Sequence, residues 1–213
     1  MKTRLEVLLS LVKNCNVLAD VGCDHGLLAK SALTNGVCKK VIISDISSKS
    51  LEKAIALLKP FNDKVSSFVC DGFTLYEGMA DSAVIAGMGG EEICQILKGV
   101  KILPKNLVLS PQKNSNKVRR LLIELGYKIT SDFTFSDGKF YDAIQAEKGE
   151  DSYTEKEFIF GRDNLKNRPN DFIEKLKSQE VLLKNILKNP NFIDDNDEIS
   201  KKLKLIKEVL YEN

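Results

Sequence analysis

Residues 16–35 read NVLADVGCDHGLLAKSALTN. Three textures follow one another in this stretch. Val17, Leu18, Ala19 and Val21 make a short apolar run of strand length. Gly22-Cys23-Asp24-His25-Gly26 then turns the chain, and residues 27–35 read as helix. A strand that feeds through a glycine-bounded loop directly into a helix is the opening half of a βαβ unit. In sheets built from such units, ligands settle on the loops beyond the carboxyl ends of the strands.

Working outward, the same alternation recurs. KVIISDI (40–46), VSSFVCDG (65–72), SAVIAGM (82–88) and NLVLSP (106–111) are strand-like. SSKSLEKAIALLKPF (47–61) places Leu51, Ala54, Ile55 and Leu58 on one helical face, behind an N-cap at Ser47 or Ser48. KVRRLLIELG (117–126) is helical, and residues 4–13 are a further helix. YKITSDFTFSD (127–137) and KFYDAIQAE (139–147) lie too close for a crossover helix, and Asp137-Gly138 between them signals a hairpin. The pattern predicts a Rossmann-like, doubly wound α/β sheet over 1–149, mostly parallel and ending in an antiparallel strand.

After Gly149 no comparable strand pattern remains. Residues 172–189 and 198–212 each carry an apolar helical stripe, with Asn189-Pro190-Asn191 and Asp194-Asp195 between them. Residues 150–213 are therefore expected to form an antiparallel α-helical hairpin, nearly neutral in charge.

Composition limits the function. The chain has 213 residues, 43% hydrophobic and 29% charged, with net charge +2. Such a balance excludes disordered and collagen-like classes, and excludes nucleic-acid binding by bulk charge. No apolar run reaches the ~18–20 residues of a membrane span, and Glu6 interrupts the N-terminal run that a signal peptide would need. The five cysteines show no C-x-x-C spacing. They are expected to be free thiols of a cytoplasmic protein, neither a disulfide framework nor a metal site.

The first loop decides the ligand class. The dinucleotide fingerprint fails at Asp24 and Leu27, where G-x-G-x-x-G needs glycine. Acidic residues would repel a pyrophosphate but suit a cationic cofactor. S-adenosylmethionine (SAM), with a sulfonium, an ammonium and a carboxylate, is the match. Asp20, Gly22, Asp24, His25 and Gly26 form the loop. Asp45 and Ile46 end the second strand, where a carboxylate accepts ribose hydroxyls. Asp71 and Gly72 end the third, facing the adenine, and Ala86 and Gly87 end the fourth. His25, the one histidine, is first a donor to the cofactor carboxylate and second a general base. Cys23 is there because the loop needs a small residue.

These motifs carry a resemblance. Arg4-Leu5, ADVGCDHG (19–26), ISDIS (43–47), CDG (70–72), AGMGG (86–90) and KFYDAI (139–144), with the closing helices, resemble the TrmK family. These are class I SAM-dependent bacterial tRNA methyltransferases acting on adenine N1 at tRNA position 22. The resemblance covers essentially the whole chain and implies that activity, with tRNA as substrate. Where the family usually reads Leu-Gln-Pro-Asn, this chain has Leu109-Ser110-Pro111-Gln112.

Adenine N1 carries an in-plane lone pair, so its attack on a methyl group needs no prior deprotonation. The catalytic task is placement of an unpaired or flipped base. Gly87, Met88 and Gly89 are expected to wall the base, and Tyr141 to stack on it. Residues 98–128 hold eight basic residues against Glu124 alone. Lys113, Lys117, Arg119 and Arg120 are expected to meet RNA phosphates on the rim of the site, with the C-terminal helices bracing the tRNA of a monomeric enzyme. Two other readings share parts of this evidence: a SAM methyltransferase for a small molecule, and a non-catalytic RNA-binding module on the same fold.

Overall fold

The structure is a computed structural model and describes residues 2–188 and 196–212. Helix α1 (Arg4–Leu11) opens the chain with a capping box, in which Thr3 and Glu6 satisfy each other's backbone N–H groups. Then follow β1 (Cys15–Val21), α2 (Leu27–Thr34), β2 (Cys38–Asp45), α3 (Ser48–Leu58), β3 (Val65–Val69) and β4 (Ser82–Ala86). After them come α4 (Gly90–Lys98), β5 (Asn106–Ser110), α5 (Ser115–Glu124), β6 (Tyr127–Asp137) and β7 (Lys139–Lys148).

The seven strands form one sheet in the order β3-β2-β1-β4-β5-β7-β6. β1 to β5 run parallel, and β7 is antiparallel to both of its neighbours. The expected antiparallel strand is therefore present, inserted beside the edge strand β6. Asp137 and Lys139 face each other across Gly138 at the hairpin.

The central strands are apolar on both faces because helices cover both. Leu18 belongs to a core with Val7, Leu8, Leu28, Ala32, Leu51 and Leu58, from α1, α2 and α3. Ala19 and Val21 belong to the opposite core, with Ile93, Leu97, Val118, Leu121 and Leu122 from α4 and α5. Full burial of each Val, Leu or Ile side chain among them is worth roughly 1.5–3 kcal/mol. Helix α4 was not singled out in the sequence. Its first turn, Gly90-Glu91-Glu92, continues the texture of the loop, and those acids suit a helix N-terminus.

Beyond Gly149 stand four helices among the described residues: α6 (Glu155–Phe160), α7 (Arg162–Asn167), α8 (Asn170–Leu187) and α9 (Asn196–Tyr211). Leu176 and Leu183 of α8 pack with Leu203, Ile206 and Val209 of α9. Arg168, just ahead of α8, bonds the carbonyls of Val209 and Leu210 at the far end of α9, so this pair is antiparallel. The expected turn residues 189–191 and 194–195 lie outside the described residues. Helices α6 and α7 were not expected.

A buried polar joint ties this helical part to the sheet. Arg119 of α5 is 1% exposed and grips both carboxylate oxygens of Asp132 on β6, with Nε to Oδ2 at 2.8 Å. Its Nη1 bonds the Phe158 carbonyl of α6. Lys175 of α8 bonds Asp142 of β7 at 2.6 Å, and Ser115 of α5 bonds the same carboxylate. Burial alone would raise the Asp142 pKa, but Lys175 and Arg119 overcome it and hold it at about 2. Arg119 is thus a structural arginine. The expectation that it meets RNA phosphate fails, because a guanidinium sealed on a carboxylate has no donor to spare.

Candidate active site

A cavity of about 660 Å³ opens at the carboxyl ends of β1 to β4. Each wall comes from one strand end. Asp20 and Val21 end β1, Asp45 closes β2, Cys70, Asp71 and Gly72 follow β3, and Ala86 closes β4 with Gly87 and Met88 after it. Helix α1 supplies a further side through Arg4, Leu5 and Leu8, and Leu27, Leu28, Glu92, Ile96 and Asp137 complete the lining.

The first loop is bolted to β2. The N–H groups of Gly22 and Cys23 donate to the Ser44 carbonyl at 2.8 and 3.0 Å. Asp45 accepts from the N–H groups of Asp24 and Ser47 at 3.1 and 2.8 Å. Gly22 has φ +69°, and a Cβ there would sit 2.1 Å from Met88 Cε. A side chain is therefore disfavoured by the backbone conformation, and one placed there would push the flexible end of Met88 aside.

Asp20 is 6% exposed and accepts the Ala29 N–H at the start of α2. Burial dominates and raises its pKa to about 7; the nearby Asp45 adds to the effect, while the bond from Ala29 opposes it. Burial, with Asp20 and Asp45 beside it, pushes the Cys23 thiol up to about 12. Cys23 is therefore an inert thiol filling a small space. His25 lies on the outer rim, with Nε2 3.7 Å from Asp24 Oδ2 and about half of its side chain exposed.

The loops after β4 and β5 are zipped together. Gln112 Nε2 donates to the Gly87 carbonyl at 2.6 Å, and its backbone N–H to the Met88 carbonyl at 2.9 Å. The departure at Gln112 is thereby explained: its amide braces the cavity wall.

Most expected cofactor residues converge here. Asp20, Gly22, Asp24, His25, Asp45, Ile46, Asp71, Gly72, Ala86 and Gly87 all line the one cavity, and so does Met88. Gly26 does not. It precedes α2 with φ +71°, and a Cβ there would lie 2.9 Å from that of Ala54, so glycine is required for packing against α3. Gly89 stands outside the cavity as the N-cap of α4.

Tyr141 is displaced from its expected role. Its ring stacks on Phe135 at 5.5 Å and holds the Arg4 guanidinium 4.6 Å from its centroid. It stands behind the lining and supports Arg4, which lines the cavity itself. Arg4 and Asp137 have cavity places that the sequence reading did not assign. The Arg4 N–H donates to Asp137 Oδ2 at 2.7 Å, across 133 residues.

On the rim, the basic segment is partly neutralised. Lys117 pairs with Glu91, and Arg120 with Glu155 at 2.5 Å. Lys113 is exposed, with its stem over Gly89 and no ion pair among the described residues.

A parallel sheet with an inserted antiparallel strand, and an acidic glycine loop after β1 facing a Gly-Met wall, define a class I methyltransferase. The family model described as a methyltransferase domain matches residues 1–144. A Mycoplasma pneumoniae protein, provisionally named a tRNA methyltransferase, is 34% identical over 76% of this chain and 79% of its own length. The tRNA (adenine(22)-N(1))-methyltransferase of Bacillus subtilis is 29% identical over 69% of this chain and 65% of its own. The crystal structure of Streptococcus pneumoniae Sp1610, provisionally a tRNA (m1A22) methyltransferase, matches with TM-score 0.90 at 25% identity, covering 99% of this chain and 100% of that one. The chain belongs to the methyltransferase-domain family, and the curated relatives it resembles are named as tRNA methyltransferases.

Proposed function

We propose that the chain binds SAM and transfers its methyl group to N1 of an adenine in tRNA, at position 22, as a monomer in the cytoplasm. One observation carries the cofactor half: six carboxylates line the cavity, from Asp20, Asp24, Asp45, Asp71, Glu92 and Asp137, and Arg4 is the one permanent cation among the lining residues. This donor set fits a ligand with two positive groups, and a volume of about 660 Å³ suits a molecule of nucleoside size. Asp45 would accept the ribose hydroxyls, Asp71 the adenine amine and Asp20 the ammonium. SAM would supply the methyl group and a thioether leaving group.

The chain's own work is then placement. The wall formed by Gly87 and Met88, held by Gln112, would receive the incoming purine. Attack from N1 leaves the adenine positively charged, and the carboxylates of the cavity favour that charge as it develops. On the rim, Lys113 is free to meet phosphate. The pairs Lys117–Glu91 and Arg120–Glu155 are solvent-screened surface pairs, so a polyanion can take over their cations. The division into a catalytic part, residues 1–149, and a helical part that braces the tRNA, residues 150–213, belongs to the same reading.

The test is to incubate the chain with bulk tRNA and methyl-labelled SAM, then map nucleosides by mass. The expected product is 1-methyladenosine at position 22. Label on an exocyclic amine would refute the acceptor assignment. Transfer to a small acceptor, with no binding to tRNA at low salt, would replace tRNA as the substrate.

A further inference from the structure

We infer that Gln112 reads the amine beside N1 of the acceptor adenine, through its side-chain oxygen. This rests on the reading that the cavity methylates adenine N1 in tRNA, and deepens it.

The geometry begins with one hydrogen bond. The Gly87 carbonyl can only accept, so the Gln112 amide must turn its NH2 toward it, at 2.6 Å. Its Oε1 then faces the other way, on an exposed side chain, with no donor among the described residues. The backbone of Gln112 is fixed as well, since its N–H donates to the Met88 carbonyl at 2.9 Å. The carbonyls of Gly87 and Met88 are thus both spent on Gln112. The acceptor that this wall offers an incoming base is the glutamine's own.

The order of the strands puts this oxygen on the acceptor side. Asp71, Asp45 and Asp20 stand at the ends of β3, β2 and β1, the three strands assigned to the cofactor. β4 and then β5 follow in the sheet. Gln112 lies just past the end of β5, against the wall at the end of β4. A base that reaches the methyl group from outside meets that wall. Space is kept for it: Gly87 has φ +89°, and a Cβ there would find no heavy atom beyond its chain neighbours nearer than 3.8 Å.

The chemistry decides what such an oxygen gains. Adenine presents the N1 lone pair and, beside it, the N6 amine with a hydrogen on the same side. N1 gives its lone pair to the methyl carbon as the carbon–sulfur bond breaks, with that bond's electrons left on sulfur. No proton moves. One positive charge passes from sulfur to the purine, where it spreads from N1 through C6 to N6. The N6 hydrogens become stronger donors, so an oxygen already placed against them gains most as the charge forms. Guanine, with O6 at this place, would set acceptor against acceptor.

The test separates the acceptor from the brace. Gln112→Lys keeps a donor for the Gly87 carbonyl but has no acceptor, and Gln112→Leu has neither. Single-turnover methylation at saturating SAM is measured on two tRNAs that differ only at position 22. One carries adenosine there and the other purine riboside, which lacks the amine. The amine's own effect on N1 is common to all three proteins and cancels when their rate ratios are compared. The adenosine to purine riboside ratio is expected to fall ~10- to 100-fold from wild type to either variant. Affinity for S-adenosylhomocysteine, by calorimetry, should stay within about 2-fold. A ratio unchanged in either variant would overturn the assignment, because a residue that only braces the wall slows both tRNAs alike. So would a loss of S-adenosylhomocysteine affinity that matches the fall in rate. A wild type that transfers no methyl group to N1 of the adenosine tRNA would overturn the acceptor reading and this one with it.

Discussion

Two groups of aspartates in this molecule differ in what stands beside them. At the cavity, Asp45 and Asp71 have no cationic side chain within ion-pair distance among the described residues, and Asp20 is buried against a single backbone N–H. Beneath the C-terminal helices, Asp132 holds Arg119 with both oxygens, and Asp142 holds Lys175, Ser115 and Thr134. The same residue type does opposite work. A carboxylate complete in its partners is a joint. A carboxylate left facing a cavity is a place for a ligand's positive charge.

The largest expected effect tests the joint. Arg119→Ala leaves Asp132 buried without its cation and should cost about 3–5 kcal/mol of stability, measured by denaturant unfolding. At a temperature where the variant stays folded, its affinity for S-adenosylhomocysteine should stay within about 2-fold of wild type. If affinity falls in proportion to stability, the two regions are one unit and the contrast fails.

The cavity has the converse test. Asp45→Ala should weaken S-adenosylhomocysteine about 100-fold, the equivalent of roughly 2.7 kcal/mol, as two charge-assisted bonds are lost. Binding of tRNA in a filter assay should change much less. Equal losses for both ligands would contradict the assignment of Asp45 to the cofactor.

The last effect is graded by pH and is smallest near pH 7. Asp20 in the free chain titrates at about 7, and pairing with an ammonium needs its ionised form. Below pH 7 the ligand must first displace a proton, so affinity should fall about tenfold per pH unit and level off above 7. Asp20→Asn should bind more weakly and show a flat profile between pH 5 and 7. A wild-type profile that is already flat would mean that Asp20 plays no part in holding the charge.

The parts legible in the sequence are those whose causes are local. The run from Val17 through Gly22 into Leu27 announces strand, turn and helix within one window, and acids at strand ends are found once the strands are found. What was misread depends on distant partners. The basic count over 98–128 took no account of Glu91, Asp132 and Glu155, which neutralise three of its cations from elsewhere in the fold. A signal for Arg119 was present all the same. It lies three residues before Leu122, on the side of α5 that faces inward, while Arg120 beside it reaches the surface. Arg4 was quoted only as part of a motif, and Asp137 only as a turn former. Neither pattern announces that they meet, because nothing within a helical turn of either residue records the other.

That meeting has a consequence for how the molecule is made. Arg4 leaves the ribosome 133 residues ahead of Asp137, an interval of roughly 7–27 s at elongation rates of about 5–20 residues per second. The acidic loops after β1, β2 and β3 can form during that interval, but the cation that completes their cavity has neither its pin nor its aromatic support until the β6–β7 hairpin emerges. The crevice is therefore finished last, by residues translated well before the strands that pin them, and only in a nascent chain that has already laid down its sheet.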